Sequence, residues 1–322
     1  VFLLVDLGQY WMHRASHRVS FLWACHLVHH SSEQLNYAVA LRNSSLHGLF
    51  LWVVPLPLAL AGVPWQVFAV SYGLNVAWQF WLHTRVVGRL GPLERVLNTP
   101  SHHRVHHGRD PEYLDRNFGG VLIVWDRLFG TFAEERQEPA YGISPRMPGS
   151  DPVWANLWGF VAIAHGMRGR SWRDRLAAVL GPPRWSEPET PARQYAAAPP
   201  RPLLEAYAVS QFLLLLLATV AHLDRLTQVP LGELTAYGTL SALTLTGIGG
   251  LLDGRGWAPR FELIRLSAVA LAVVLPGLRD SALFPQGPLL VYATTSLLAL
   301  LLLTLRPDER AAEPVTYPGP VR

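Results

Sequence analysis

Lysine is absent from this 322-residue chain, and cysteine occurs once. All 27 basic residues are therefore arginine, which reads as a coding preference. With Cys25 alone, no internal disulfide can form. Its direction lies about 100° from that of its neighbour His26 on a helix, so packing is its expected role. No basic stripe interleaved with aromatics is present, which argues against nucleic acid as a partner. No Glu-x-x-His occurs, so the carboxylate-rich soluble di-iron bundle is excluded. No His-Glu-x-x-His occurs either, which excludes the zinc protease pattern. No signal-peptide pattern is found, and Val1–Val5 is too short an apolar start to cross a membrane. A fragment lacking upstream spans is the expectation.

Charge is also scarce, at 16%, while half the residues are hydrophobic. Such a chain is poorer in charge than an average soluble domain. A bilayer-spanning helix needs ~20 mostly apolar residues. Candidates lie at 46–62 and 64–82, a pair broken near Gly62-Val63-Pro64, and at 204–223, 231–252, 263–278 and 286–305. The expected fold is all-α, a multi-pass integral membrane protein. Sixteen arginines fall between residues 83 and 201, and an arginine excess beside spans favours the cytoplasmic side. The polar cap is therefore expected to face the cytosol.

Histidine is what the chain has in excess of expectation. Three clusters read His13-Arg-Ala-Ser-His17, His26-Leu-Val-His29-His30 and His103-Arg-Val-His106-His107, with His83 between the second and third. On a helix, residues three or four apart share a face, within about 60°. Each cluster thus offers a stripe of imidazoles, and neutral imidazole is the commonest metal-binding side chain. Isolated pairs arise by chance; three face-matched groups among 13 histidines do not. Nine nitrogens exceed the needs of one ion and fit two, each with four or five imidazoles. An all-imidazole site suits a redox metal that leaves room for dioxygen, although imidazole also suits Zn, Cu and Ni. His47, His165 and His222 stand alone and read as ordinary packing residues. His102 points about 100° from His103, as a neighbour or an exposed residue rather than a ligand.

Ligand imidazoles normally pass their outer ring proton to an orienting group. Asp6, two turns before His13 on nearly the same face, is one candidate. Asp126 and Asp115 are others, and Gln79 lies one turn before His83. Residues 1–18 read as a helix leaving the membrane. Ser20 is placed to cap the next helix, which ends at Ser31-Ser32-Glu33. Thr99 and Pro100 mark the start of a short helix that carries the third cluster and ends at Gly108.

The segments around the clusters are YWMHRASH, HLVHHSSEQLNYAVALR, FWLHT, NTPSHHRVHHGR and NFGGVLIVWDRLFGTF. They resemble the fatty acid hydroxylase/sterol desaturase superfamily, and within it the alkylglycerol monooxygenase branch and its bacterial relatives. The likeness is dense over residues 1–145. It continues more loosely through GPPRW at 181–185 and GGLLDGRGWAPRFELIRL at 249–266. The resemblance implies two Fe ions bound by His13, His17, His26, His29, His30, His83, His103, His106 and His107. It implies O2-dependent oxidation of a lipid C–H bond, in this branch the carbon next to an ether oxygen. The hemiacetal so formed collapses to an aldehyde and glycerol. Tetrahydrobiopterin supplies electrons in this branch. Glu33, Asn36, Tyr37 and Arg42 fit the branch pattern as pocket candidates for that cofactor. Two positions depart from the animal pattern. Arg18 stands where a carboxylate follows the first box, and Phe118 stands where a tyrosine is found. Both positions are associated with pterin use, so the donor stays open between a pterin and a separate reductase. No appended cytochrome b5-like motif is visible.

The expected organisation is a catalytic domain over 1–186, a Pro-rich linker at 187–202, C-terminal transmembrane helices at 203–305 and a disordered tail at 306–322. A desaturase would use the same boxes. A metal transporter would place its histidines within spans, whereas these lie at helix ends. A bis-His heme protein would leave the tight His-x-x-His-His groups unexplained. Glu262 and Arg265 share a helical face and read as a membrane-edge anchor.

Overall fold

The computed structural model describes residues 1–147, 149, 151–183, 201–221, 223, 228–274 and 286–304. Among these the chain is helical, with isolated bridges at Leu97–Leu122 and Gly108–Tyr141 and no strand. Most of the expected linker and all of the expected tail lie outside the described residues, as does His222. Two compact units are distinguished, residues 1–147 with 156–183, and residues 149–155 with those described from 201 onward.

In the first unit, α1 (Phe2–Arg18) and α2 (Ser20–His30) are joined by a single extended residue, Val19. Ser20 is not the cap. It opens α2, and its hydroxyl donates to the Gly181 carbonyl at 2.9 Å. Helix α3 (Tyr37–Ala40) is capped by Asn36, whose side chain accepts from the Ala38 amide. The apolar run 46–62 is not a spanning helix. It forms two 3₁₀ turns, His47–Leu49 and Leu51–Val53, and then α4 (Pro55–Leu60). The cause is Pro55, which has no amide proton and clashes with a preceding helical turn. Helix α5 (Trp65–Trp81) returns to His83 and packs on α1. Helix α6 (Pro100–His107) starts with Pro100 at its first position, as expected. Thr99 precedes it, but its hydroxyl donates to Glu94 at 3.1 Å rather than capping the helix. Then come α7 (Val124–Phe129), α8 (Pro152–Gly166), whose first turn belongs to the second unit, and α9 (Trp172–Leu180).

Asp6 ties these elements together from a fully buried position. Its carboxylate accepts from Asn75 Nδ2 at 2.6 Å, the Val121 and Leu122 amides at 2.8 and 3.2 Å, and Trp125 Nε1 at 2.8 Å. Four donors on one buried carboxylate offset its desolvation. Gly120 lets the loop come this close. A Cβ there would meet Asn75 Oδ1 at 2.9 Å and Asp6 Oδ1 at 3.0 Å.

The second unit contains α10 (Pro202–Ala221), α11 (Leu231–Leu252), α12 (Ala258–Val274) and α13 (Gln286–Thr304). Its exterior is apolar, and its interior holds a polar cluster beside an apolar one formed by Leu204, Ile248, Leu251, Leu266 and Leu300. Leu213, Leu217, Val220, Ile264, Leu271, Val291 and Leu298 are exposed, while Gln211, Thr244, Glu262, Arg265 and Ser296 are buried. Glu262 and Arg265 are thus interior residues, 0% and 4% exposed, and not the edge anchor expected. Of the six expected spans, Pro202–Val220 is long and apolar enough to cross a membrane among the described residues. Leu290–Leu301 is a shorter apolar stretch.

Candidate metal centre

Nine imidazoles converge in the first unit as two groups. His13, His17, His26, His30 and His106 form one, and His29, His83, His103 and His107 the other. Within each group one ring nitrogen per residue lies within 4.8 Å of all the others. Helix α1 supplies two rings, α2 and α6 three each, and His83 comes just after α5. The groups adjoin. The His30 and His107 rings stack with centroids 4.4 Å apart, and those of His29 and His26 are 5.4 Å apart.

The outer nitrogens fix which nitrogen faces inward. Nδ1 of His13 donates to the Phe118 carbonyl (3.0 Å), that of His106 to Arg116 (2.9 Å), that of His29 to Arg42 (3.3 Å) and that of His83 to Gln79 (2.9 Å). A carbonyl only accepts, so each Nδ1 holds the proton and each Nε2 is a bare lone pair. His29 Nε2 and His83 Nε2 then face one another at 3.2 Å with no proton between them. His17 Nε2 and His106 Nε2 are buried without a hydrogen-bond partner. Opposed and unpartnered lone pairs in a buried site call for a cation, so the donor set fits bound metal.

Electrostatics agree with ligands that stay neutral. Burial, with repulsion from neighbouring imidazoles, pushes His13 down to about 3 and holds His26, His29, His30, His103, His106 and His107 well below the usual histidine range. Burial also lowers His83 to about 4, although its carbonyl partners pull the other way.

The loop after Asp110 is the main frame of the five-imidazole group. Asp115 and Asn117 both adopt positive φ, 56° and 55°, the left-handed region that Asp and Asn enter more readily than other non-glycine residues. This conformation delivers three partners from four consecutive residues. These are the Asp115 carboxylate, 3.5 Å from His17 Nδ1, and the Arg116 and Phe118 carbonyls. Asn117 holds the loop by hydrogen bonds to the His102 and Ala133 backbones.

The expected orienting residues fare differently. Asp6 contacts no imidazole, because its oxygens are committed to the bracket described above. Gln79 serves His83 through its carbonyl, while its side chain donates to Asn75 Oδ1 at 2.5 Å. Asp126 acts one step away. It accepts from the Phe118 and Gly119 amides and from Thr131, steadying the Phe118 carbonyl that His13 uses. Asp115, the weaker candidate from sequence, is the carboxylate that meets a ring.

The pocket candidates do not gather around one cavity. Glu33 pairs with Arg146, and Asn36 caps α3. Tyr37 is 47% exposed and stacks on Phe80. Arg42 donates to the Val28 carbonyl and Ser31 at the end of α2. A cavity of about 260 Å³ does reach the centre, lined by His17, Trp23, His30, His106, His107 and Arg109 among others. Trp23 and Arg109 were not foreseen; their only signal was adjacency to a cluster. His47 lies nearer than expected, its ring 5.6 Å from that of His26, but belongs to neither group. His102 is buried against Phe132 and also belongs to neither. Cys25 is packed in α2, as expected, and burial raises its thiol to about 11.

A pH effect follows. In the unfolded chain His83 and His102 titrate near 6.5; folded, burial lowers both to about 4. Between these values the unfolded state binds protons that the folded state does not, so stability rises with pH across that window. Metal-free protein is expected to lose up to ~1.4 kcal/mol per pH unit for each such histidine as pH falls below 6.5. Denaturant unfolding at pH 7 and pH 5 measures this, and equal midpoints would contradict the burial.

Residues 1–131 match the fatty acid hydroxylase family. Residues 1–131 are thus a fatty acid hydroxylase domain. The chain is 40% identical over 291 residues to alkylglycerol monooxygenase of Danio rerio, covering 84% of the chain and 63% of that relative. With the Homo sapiens alkylglycerol monooxygenase it shares 39% over 284 residues, covering 82% of the chain and 62% of the relative. An ornithine lipid hydroxylase, OlsE of Rhizobium tropici, is 33% identical over 131 residues, 40% of each protein. The chain thus spans a little under two thirds of the length of the alkylglycerol monooxygenases it matches. No solved structure matches it significantly.

Proposed function

We propose that this protein is a membrane-embedded, O2-dependent lipid monooxygenase with two iron ions, and that its substrate is an ether-linked glycerolipid. The observation that carries the reading is the pair of buried imidazole groups. Similarity to alkylglycerol monooxygenases over most of the chain supports the substrate class. His13, His17, His26, His30 and His106 would hold one ion, and His29, His83, His103 and His107 the other. Bound there, the metal would supply dioxygen activation. One oxygen atom enters the C–H bond beside the ether oxygen. The other leaves as water, with two electrons and two protons from an external donor, a pterin or a reductase. The hemiacetal then collapses to an aldehyde and the glycerol lipid.

The chain's own residues supply placement. Carbonyls of Phe118, Arg116, Arg42 and Gln79 hold the rings in one tautomer. Burial keeps the rings of His13, His26, His29, His30, His83, His103, His106 and His107 unprotonated. The exposed apolar faces of α1, α4 and α5, with Leu3, Leu4, Leu60, Trp65, Val70 and Leu74, form the side from which an alkyl tail arrives. Residues 1–186 are the catalytic domain and 203–305 the membrane anchor. The apolar exterior of the second unit and its buried polar cluster support several spans rather than one, because exposed apolar faces and internally paired polar groups suit lipid as solvent. A bacterial inner membrane, with the imidazoles at its cytosolic face, fits the arginine-rich stretch from 83 to 201.

The test is to purify the protein with iron, supply tetrahydrobiopterin or a reductase system under ¹⁸O₂, and profile lipids. The expected result is a fatty aldehyde carrying ¹⁸O, formed from an alkylglycerol. A new double bond without label would instead make it a desaturase. Iron-loaded protein that leaves ether lipids, sterols and acyl chains unchanged would remove the oxygenase reading.

A further inference from the structure

We propose that Arg104 and Glu135 are positioning residues for the four-imidazole group, acting through the strap that follows His83, so that its ion position can be emptied without the other. This rests on the two-ion reading above. Arg104 sits on α6 between His103 and His106, and its side chain leaves the helix about 100° from that of His103. It is buried, and four of its donor contacts have assigned acceptors. Nε and Nη2 form a bidentate pair with Glu135 at 2.6 and 2.7 Å. Nη1 donates to the carbonyls of Thr84 (3.1 Å) and Val87 (2.7 Å).

Those two carbonyls belong to the stretch directly after His83. Here the chain has left α5 and has no regular structure of its own. His83 is the one ligand outside the three clusters, and a residue just past a helix end frays unless its surroundings hold it. Arg104 fixes the strap 84–87 to the helix that carries His103 and His107. That contact sets His83 Nε2 at 2.9 Å from His103 Nε2 and 3.2 Å from His29 Nε2. Glu135 holds the guanidinium in the plane this requires. The five-imidazole group takes nothing from this strap. The outer partners of its His13, His17 and His106 come from residues 115–118, held by Asn117 and Asp126. Lysine cannot replace Arg104, because one ammonium has no planar fork with which to hold a carboxylate and two carbonyls at once.

The experiment compares full-length wild type, Arg104→Lys, Glu135→Gln and His83→Ala, each reconstituted with iron. It measures iron per chain, the Mössbauer spectrum and the unfolding temperature. Arg104→Lys and Glu135→Gln are expected to lose about half of their iron, as removal of an outer partner weakens a site. The remaining signal should match that of His83→Ala, which removes the ligand and leaves the frame. A second variant of the pair keeps the test decisive if one fails to fold. Full iron and an unchanged spectrum in both pair variants overturn the inference. So does parallel loss from both environments, the mark of a general structural role. Wild type that binds no iron overturns the two-ion reading and this inference with it.

Discussion

Replacing His30 with alanine is expected to abolish lipid oxidation, with at least a hundredfold loss of product and a fall in bound metal. His30 stands where the two imidazole groups meet. Its ring lies 4.4 Å from that of His107, 4.7 Å from that of His106 and 4.7 Å from that of His17. Loss of an outer partner typically costs about 10–100-fold in metal affinity or activity, and loss of a ligand removes the bond itself. The vacancy would also leave the lone pairs of its neighbours without their shared cation. Metal analysis beside aldehyde formation from an alkylglycerol gives the answer. His165→Ala, outside both groups, is the matched control and should keep metal and activity. A His30→Ala protein with full metal and wild-type turnover would mean that these imidazoles are not the working centre.

The grouping of these imidazoles was legible in the sequence because helical periodicity puts residues three and four apart on one face. Periodicity carries no information about which cluster pairs with which, so the division into five and four needed coordinates. His106 and His107 are adjacent yet serve different groups. The orienting groups were mostly hidden for another reason. Four rings are held by backbone carbonyls, and a carbonyl has no residue type to read. The Asn117-Phe118-Gly119-Gly120 turn was visible as a turn, but not as the donor of Arg116 and Phe118 carbonyls to the site. Asp6 was placed on the right face of α1, yet four donors from elsewhere claim it. The apolar run 46–62 misled because hydropathy counts proline as a modest penalty, whereas Pro55 stops a helix outright. Glu262 and Arg265 misled in the opposite sense. Their spacing showed a pair, but only the packing of four helices shows that the pair is internal.

That pair gives the second large effect, this time on stability. The Arg265 guanidinium directs every one of its donors to an acceptor. It reaches Glu262 through Nε and Nη2 (2.6 Å at the closest), Thr244 (3.0 Å) and Tyr292 (2.7 Å) through Nη1, and Gln211 (3.1 Å) through Nη2. Tyr207 donates to Glu262, and Gln211 donates to Ser296. Residues from α10, α11, α12 and α13 therefore meet at one charge-neutral hub. Removing one ion strands the other in a buried site, at a cost of about 3–5 kcal/mol for a buried pair. Arg265→Met and Glu262→Gln should each lower the unfolding free energy of the protein in bicelles by that order. The double variant Glu262→Gln/Arg265→Met should recover much of the loss, since a pair absent on both sides leaves no lone charge. Equilibrium unfolding of the three variants in one lipid mixture separates the outcomes. Single variants within about 0.5 kcal/mol of wild type, the range of a surface change, would mean that water or lipid reaches the hub and that the second unit is not closed around it.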